Sequence, residues 1–106
     1  MPKYLWEVSY TQEGTKGLMK EGGTKRRAAV VKALQAVGGK LEAFYYAFGE
    51  YDIYAIADFP DAKSAAAFSL AVNASGAARL RTTVLLEPRD IDAAIRKSVA
   101  YRPPGK

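Results

Sequence analysis

The sequence predicts an α+β fold in which four strands form one antiparallel sheet and two main helices cover one of its faces. Four short segments are rich in aromatic and β-branched residues, as strands are. Two longer segments between them place apolar residues at helical spacing. The chain has 106 residues, 49% hydrophobic and 25% charged, which are ordinary values for one globular domain.

The first half of the chain predicts a strand followed by helical segments. Residues 3–11 are rich in Tyr, Trp and Val and predict the first strand. A short turn or helix is expected over residues 13–20, where glycines weaken the helical pattern. A longer helix should begin near Thr24, a candidate N-cap, and end at Gly38 and Gly39. Its apolar stripe consists of Val30, Ala33, Leu34 and Val37.

The second half predicts a hairpin, a helix, a strand and a final helix. Residues 40–48 and 51–59 read as the hairpin strands, and Pro60 ends the second of them. Asp61 is a candidate N-cap for a helix over residues 62–75. A fourth strand is expected over residues 77–87. Pro88 then suits the first turn of a helix over residues 89–99.

The predicted order is β-α-β-β-α-β with an extra C-terminal helix, which is the ferredoxin-like plan. In this plan the first strand lies centrally, between the third and the fourth. We expect a single domain over residues 1–99 and an extended tail over residues 100–106.

Strand alternation divides the sheet into two faces. The face assigned to the helices has no charges and consists of Tyr4, Trp6, Val8, Tyr10, Leu41, Ala43, Tyr45, Ala47, Ile53, Ala55, Ala57, Leu80, Thr82, Val84 and Leu86. The open face mixes charges with large apolar groups: Leu5, Glu7, Ser9, Glu42, Phe44, Tyr46, Phe48, Asp52, Tyr54, Ile56, Asp58, Arg79, Arg81, Thr83 and Leu85.

A bare face of this kind is a large apolar patch, which monomers avoid. Two such sheets can pack face to face as a dimeric α+β barrel, so we expect a homo-oligomer. Buried charges would then need partners, and Glu7 could meet Arg79 or Arg81 on a neighbouring strand.

The stretch "GEYD", residues 49–52, lies between the two hairpin strands. Gly49 suits a tight turn with positive φ. Alternation places Asp52 on the open face and Tyr51 on the other. As a structural residue, Asp52 accepts hydrogen bonds from turn amides. As a functional residue, it lines the mouth of a cavity together with Tyr46.

Composition excludes several classes of site. The chain has no Cys and no His, so disulfides, thiolate sites and imidazole ligands for zinc or haem are excluded, and we expect no cofactor. The net charge is +5. A cluster of cations in residues 16–32 is opposed only by Glu21. This cluster is typical of a solvated helix surface, and no motif for stacking bases or reading a groove accompanies it, so nucleic acid is not an expected partner.

Nor is a membrane an expected partner, because no run approaches the roughly 20 apolar residues of a membrane helix. The first residues lead straight into a strand pattern without a signal-peptide pattern, so the expected location is the cytoplasm.

The chain resembles the GYD domain family, named for a Gly-Tyr-Asp motif that corresponds here to Gly49, Tyr51 and Asp52. The resemblance rests on the stretches "YLWEVSYTQEG", "KEGGTKRR", "GGKLEAFYYAFGEYDIYAIADFPD", "SAAAFSLAVNASGAARLRTT" and "LL". It implies a small bacterial or archaeal protein related to the dimeric α+β barrels, and it implies no activity. Proteins of similar fold include cofactor-free monooxygenases, haem enzymes and ligand binders, so function by fold is only analogy.

Three functions remain open from the sequence. The first is binding of a small aromatic or anionic molecule between sheet faces, for which the candidate ligand-binding residues are Tyr46, Asp52, Tyr54, Arg26, Arg79 and Asn73. The second is a cofactor-free monooxygenase or isomerase, for which the candidate catalytic residues are Asp52, Tyr46 and Glu7. The third is a purely structural assembly unit. An aromatic-lined cavity of about 300 Å³ or more would favour binding over assembly.

Overall fold

A computed structural model describes residues 1–106 and contains one four-stranded antiparallel sheet. The strands are β1 (Lys3–Tyr10), β2 (Lys40–Tyr46), β3 (Ile53–Asp58) and β4 (Ala78–Leu85). Their order across the sheet is β2-β3-β1-β4, so the first strand lies between the third and the fourth as predicted. The α+β, ferredoxin-like class is thereby confirmed.

Four helices accompany the sheet: α1 (Gln12–Glu21), α2 (Gly23–Gln35), α3 (Ala62–Ala74) and α4 (Pro88–Ile95). The side chain of Asp61 accepts a hydrogen bond from the amide of Ser64 at 2.8 Å, which confirms the predicted cap of α3. The predicted cap at Thr24 is wrong. Helix α2 begins one residue earlier, and its N-cap is Gly22 with φ of 92°.

The core lies between the helix face of the sheet and helices α2 and α3. Trp6 is almost fully buried, and its ring stacks on Phe68 with centroids 4.7 Å apart. Phe59 is also buried and packs against both rings. The remaining buried apolar residues are Tyr4, Val8, Leu34, Ile53, Ala55, Ala57, Ala65, Ala78 and Leu80.

A β-bulge in β2 overturns part of the face assignment. Leu41 pairs with Ala57, but Ala43 already pairs with Ile56, so one extra residue interrupts the alternation. Downstream of the bulge, Phe44 and Tyr46 pack against the core on the helix face, where alternation had predicted the open face. Tyr45 instead lies opposite Tyr54 and is 71% exposed.

The C-terminal segment stands apart from the rest of the molecule. Every residue of α4 is exposed, and the helix does not pack closely on any other element. The molecule measures 57 × 32 × 22 Å with a radius of gyration of 17.0 Å, whereas a compact domain of this length has one of about 13 Å.

No helix has the length and apolar character needed to cross a membrane.

Candidate functional site

A cavity of about 570 Å³ lies between the helix face of the sheet and helices α2 and α3. The two helices do not pack closely on each other, and the gap between them opens the cavity. Its lining is almost wholly apolar and consists of Trp6, Val8, Tyr10, Arg26, Val30, Ala33, Ala36, Val37, Phe44, Ile53, Phe68, Ala71, Val72, Ser75, Ala77, Ala78 and Leu80.

Small side chains create the space. Residues Ala33 and Ala36 line the cavity from the α2 side, and Ala71 lines it from α3. A methyl group at these positions reaches only a short way over the sheet, while the bulky Trp6 and Phe68 close the end nearest the core. The predicted stripe of α2 therefore faces the sheet but does not fill the space above it.

Four lining residues carry polar side-chain groups, namely Trp6, Tyr10, Arg26 and Ser75, and Arg26 is the only charged one. Its nearest carboxylate is that of Glu21, with Nε and Oε1 3.6 Å apart, which is too long for a strong hydrogen bond. Burial raises the pKa of Tyr10 to about 12, so this phenol keeps its proton at neutral pH and can donate it in a hydrogen bond. Ser75 uses its hydroxyl to donate to the carbonyl of Val72 at 2.7 Å.

Tyr46 connects β2 to the start of α2 near the cavity. Its hydroxyl donates to the carbonyl of Gly23 at 3.0 Å. Burial raises the pKa of Tyr46, and the nearby Arg26 opposes that rise. Tyr46 and Arg26, two of the predicted binding residues, are thus brought together on the helix side of the sheet.

The indole of Trp6 has a buried N–H without a hydrogen-bond partner in the chain. Most buried donors in native proteins are paired, so an unpaired one calls for a reason. Because Trp6 lines the cavity, a hydrogen-bond acceptor on a ligand that reached the indole would pair with this N–H.

Asp52 forms its hydrogen bonds with backbone groups of neighbouring segments. Its Oδ2 accepts from the amide of Tyr10 at 2.8 Å, while its own amide donates to the carbonyl of Val8 and its own carbonyl accepts from the amide of Ala47. The carboxylate therefore binds the end of the central strand rather than a turn amide. Gly49 does not have positive φ, so the turn conformation predicted for it is wrong; a longer connection over residues 47–52 joins the strands.

Tyr51 lies on the open face, contrary to the alternation argument. Its hydroxyl accepts from Nη1 of Arg81 at 2.5 Å, and its ring packs edge-on against Tyr54. Alternation fails here because β3 begins only at Ile53. Glu7 lies in register between Tyr54 and Arg81 on the same face, although it forms no salt bridge with Arg81.

Asn73 and Arg79 lie in a second, polar depression beside the first residues of β4. Asn73 is held there by the backbone of Leu80, whose amide donates to Oδ1 at 2.7 Å and whose carbonyl accepts from Nδ2 at 3.2 Å. Arg79 forms no salt bridge. The predicted site residues thus fall into separate groups, with Glu7, Tyr54 and Arg79 across the sheet from Arg26 and Tyr46.

Sequence reasoning missed the cavity between the helices and the sheet. The signal that could have found it is the run of alanines on the inner sides of both helices, opposite large rings on β1. The carboxylates give no comparable signal, because no three of them gather in a group that could hold a metal ion.

Comparison with protein families finds one match: the model of the GYD domain covers residues 4–95, which is most of the chain. No curated protein and no solved structure matches the chain.

Proposed function

Because the chain belongs to the GYD domain family and carries an apolar cavity with one cation in its wall, we propose that it binds a small molecule with an apolar or aromatic body and an anionic group. The molecule occupies the space between α2, α3 and the sheet, on the opposite side of the sheet from the open face. The observation that carries the proposal is the position of Arg26 in an otherwise uncharged lining.

The size and composition of the cavity fit this class of ligand. Small-molecule sites are concave, enclose about 300–1,000 Å³ and combine an apolar lining with a few polar groups. The cavity has about 570 Å³, and most of its lining is aliphatic or aromatic. An elongated or ring-shaped apolar body is favoured there, because its transfer from water is worth roughly 25 cal/mol for each Å² buried.

The polar groups favour an anion at the end of the cavity near Arg26. The guanidinium presents several N–H donors that match a carboxylate or a phosphate. Its weak contact with Glu21 leaves these donors free for a ligand. The protonated phenol of Tyr10 lines the same cavity and adds a neutral donor.

Binding is favoured over catalysis because the cavity lacks a free base. No carboxylate lines it. Among the candidate catalytic residues, Asp52 is engaged by the amide of Tyr10, and Glu7 lies on the other face of the sheet. The hydroxyl of Tyr46 donates a hydrogen bond to a backbone carbonyl, and the pKa of Tyr46 is raised.

The single tryptophan makes the test direct, because Trp6 lines the cavity and is the only indole in the chain. We expect its fluorescence to change saturably when a medium-chain or aryl-substituted carboxylic acid is added. The substitution Arg26→Gln should weaken binding of the acid by roughly tenfold or more, since a charge-assisted hydrogen bond is worth about 1.5–3 kcal/mol. The corresponding neutral alcohol should bind both proteins equally.

Two controls make the outcome specific. Lys25→Gln removes the same charge from a neighbouring residue that does not line the cavity, so it should leave acid binding unchanged. Ala71→Phe fills the cavity and should abolish binding of acid and alcohol alike. Fluorescence that stays constant across the acid series, or equal loss of acid binding with Lys25→Gln and Arg26→Gln, would contradict the proposal.

A further inference from the structure

The polar depression beside β4 differs in chemistry from the apolar cavity between the helices and the sheet. It has about 550 Å³ and lies where the end of β1 meets the start of β4. Two arginines, Arg79 and Arg81, line it, and no carboxylate does. Its wall therefore carries two positive charges and no negative charge.

The two arginines act on the same space. They are two residues apart on β4, so their side chains project from one face of the sheet with Cα atoms roughly 6–7 Å apart. Neither forms a salt bridge. Glu7 and Glu50 are near enough to interact with the charge of Arg81, but neither lines the depression. The two cations repel each other, and an anion bound between them would relieve that repulsion.

Tyr51 reaches this pair from the connection before β3, across the central strand β1. Its hydroxyl oxygen accepts from Nη1 of Arg81 at 2.5 Å. A phenol oxygen that accepts a hydrogen bond still has its own proton to donate, and no group of the chain accepts that proton. Ser9, which lies opposite Arg79 in the register, adds a second hydroxyl to the same wall. The free polar groups of the depression are thus hydrogen-bond donors.

The other polar residues of the wall are already committed to the backbone. Both side-chain atoms of Asn73 bind the backbone of Leu80. The hydroxyl of Thr11 donates to the carbonyl of Gly76 at 2.9 Å, and its amide donates to the carbonyl of Ala77 at 3.0 Å. These bonds hold the connection between α3 and β4 against the end of β1, so the depression is formed without a ligand.

We propose that the polar depression binds the phosphate group of a phosphate monoester whose remaining body is polar and carries hydroxyls. A phosphate monoester has three terminal oxygens and nearly two negative charges at neutral pH. It can therefore pair with both guanidinium groups and with the hydroxyls of Tyr51 and Ser9 at once. A carboxylate offers two oxygens and one charge. The fork of a guanidinium also matches phosphate oxygens in geometry.

The size and lining of the depression indicate the rest of the ligand. A volume of about 550 Å³ is larger than a phosphate group alone, and most of the lining is polar. A hydroxyl-bearing body fits this lining better than an apolar one. The site is thus separate from the cavity that Arg26 lines, both in place and in the ligand that it favours.

Calorimetric titration with three probes that share one sugar ring tests the phosphate preference. Glucose 6-phosphate is added at slightly alkaline pH, where its phosphate is a dianion, and glucuronate and glucose are added under the same conditions. We expect glucose 6-phosphate to saturate one site per chain. Glucuronate should bind about tenfold more weakly or worse, and glucose should not bind.

Substitutions of the two arginines then locate the site. Arg79→Gln and Arg81→Gln should each weaken the binding of glucose 6-phosphate by about tenfold or more. Both side chains are exposed, so the fold should be retained. Tyr51→Phe keeps the ring and removes the hydroxyl, and it should weaken binding to a smaller extent. Arg96→Gln is the matched control, because it removes the same charge from an exposed arginine outside the depression.

Four results would overturn the proposal. They are the absence of saturable binding of glucose 6-phosphate, equal binding of glucuronate, and equal loss of binding in Arg96→Gln and Arg79→Gln. The fourth is an oligothymidylate that displaces glucose 6-phosphate at a lower concentration of phosphate groups, which would assign the two arginines to a nucleic-acid backbone instead.

Discussion

At the scale of single residues, Asp52 illustrates how a motif residue can be structural. The pairing of β1 with β3 ends at Val8 and Ile53, so the amide of Tyr10 lies beyond it. The carboxylate of Asp52 accepts the hydrogen bond from this amide in place of a backbone carbonyl of β3. The residue also continues the backbone ladder on both sides, toward Val8 and Ala47. The central strand therefore keeps its hydrogen bonds to its end even though β3 begins only at Ile53.

We expect Asp52→Ala to lower the free energy of unfolding by about 1–3 kcal/mol, because it leaves the part-buried amide of Tyr10 without its acceptor. Asp52→Asn keeps one acceptor oxygen and should cost less. Urea titrations of both variants measure the difference. Ligand-dependent Trp6 fluorescence should persist in both. Loss of that response at unchanged stability would instead identify the carboxylate as part of the binding site.

At the scale of elements, Gly14 and Gly17 of α1 show why the effect of a glycine within a helix cannot be predicted from sequence alone. The glycines predicted only a short turn or helix, yet α1 is continuous from Gln12 to Glu21. Gly14 is buried where the helix approaches the start of β4, and Thr11 caps the helix by accepting from its amide at 3.2 Å. At Gly17, by contrast, an added methyl group would meet no other atom within 4 Å.

Alanine substitutions at these two positions should therefore have opposite effects. In Gly14→Ala, the new methyl group collides with the carbonyl oxygen of Ala77 and lies 2.8 Å from the ring of Tyr10, so we expect a loss of about 3 kcal/mol or more. In Gly17→Ala, the methyl group is unobstructed and the helix gains about 0.5–1 kcal/mol. Thermal unfolding measures both. A stabilised Gly14→Ala protein would contradict the close approach of α1 to Ala77.

The bulge in β2 marks the limit of pattern-based prediction at this scale. Strand positions and topology followed from aromatic runs, Pro60 and the glycine-rich helix ends, and the structure confirms that order. The bulge leaves no trace in residue types, because Phe44, Tyr45 and Tyr46 fit either face equally well. One extra residue at Leu41–Ala43 exchanges the faces of the remaining residues of β2.

At the scale of the whole molecule, the cavity is a second feature that residue patterns do not predict. Helical periodicity correctly placed Val30 and Leu34 toward the sheet. The distance between α2 and α3 depends on how their alanines pack over Trp6 and Phe68, which is a tertiary property. Sequence reasoning therefore identified Arg26 and Tyr46 as candidate binding residues but did not predict the cavity on the helix side of the sheet that Arg26 lines.

The stability of the whole molecule should fall at alkaline pH, because two groups on opposite faces of the sheet, Tyr10 and Lys3, have raised pKa values in the folded protein. Burial raises the pKa of Tyr10 to about 12, above its ordinary value of 10.0. Hydrogen bonds to Glu42 and Asp58 raise the pKa of Lys3 to about 12, above its ordinary 10.5. In both cases the folded protein holds a proton that the unfolded chain has already lost, so unfolding releases protons in this range.

Because unfolding releases protons between about pH 10 and 12, rising pH favours the unfolded state, and we expect the melting temperature to be steady below pH 9 and to fall through that range. Tyr10→Phe removes one of the titrating groups, and its melting temperature should fall less steeply than that of the natural protein. Tyr101→Phe is the control, since Tyr101 is exposed in the C-terminal segment; its profile should match the natural one. Identical slopes for Tyr10→Phe and the natural protein would show that Tyr10 titrates alike in the folded and unfolded chains, and would argue against its burial beside the cavity.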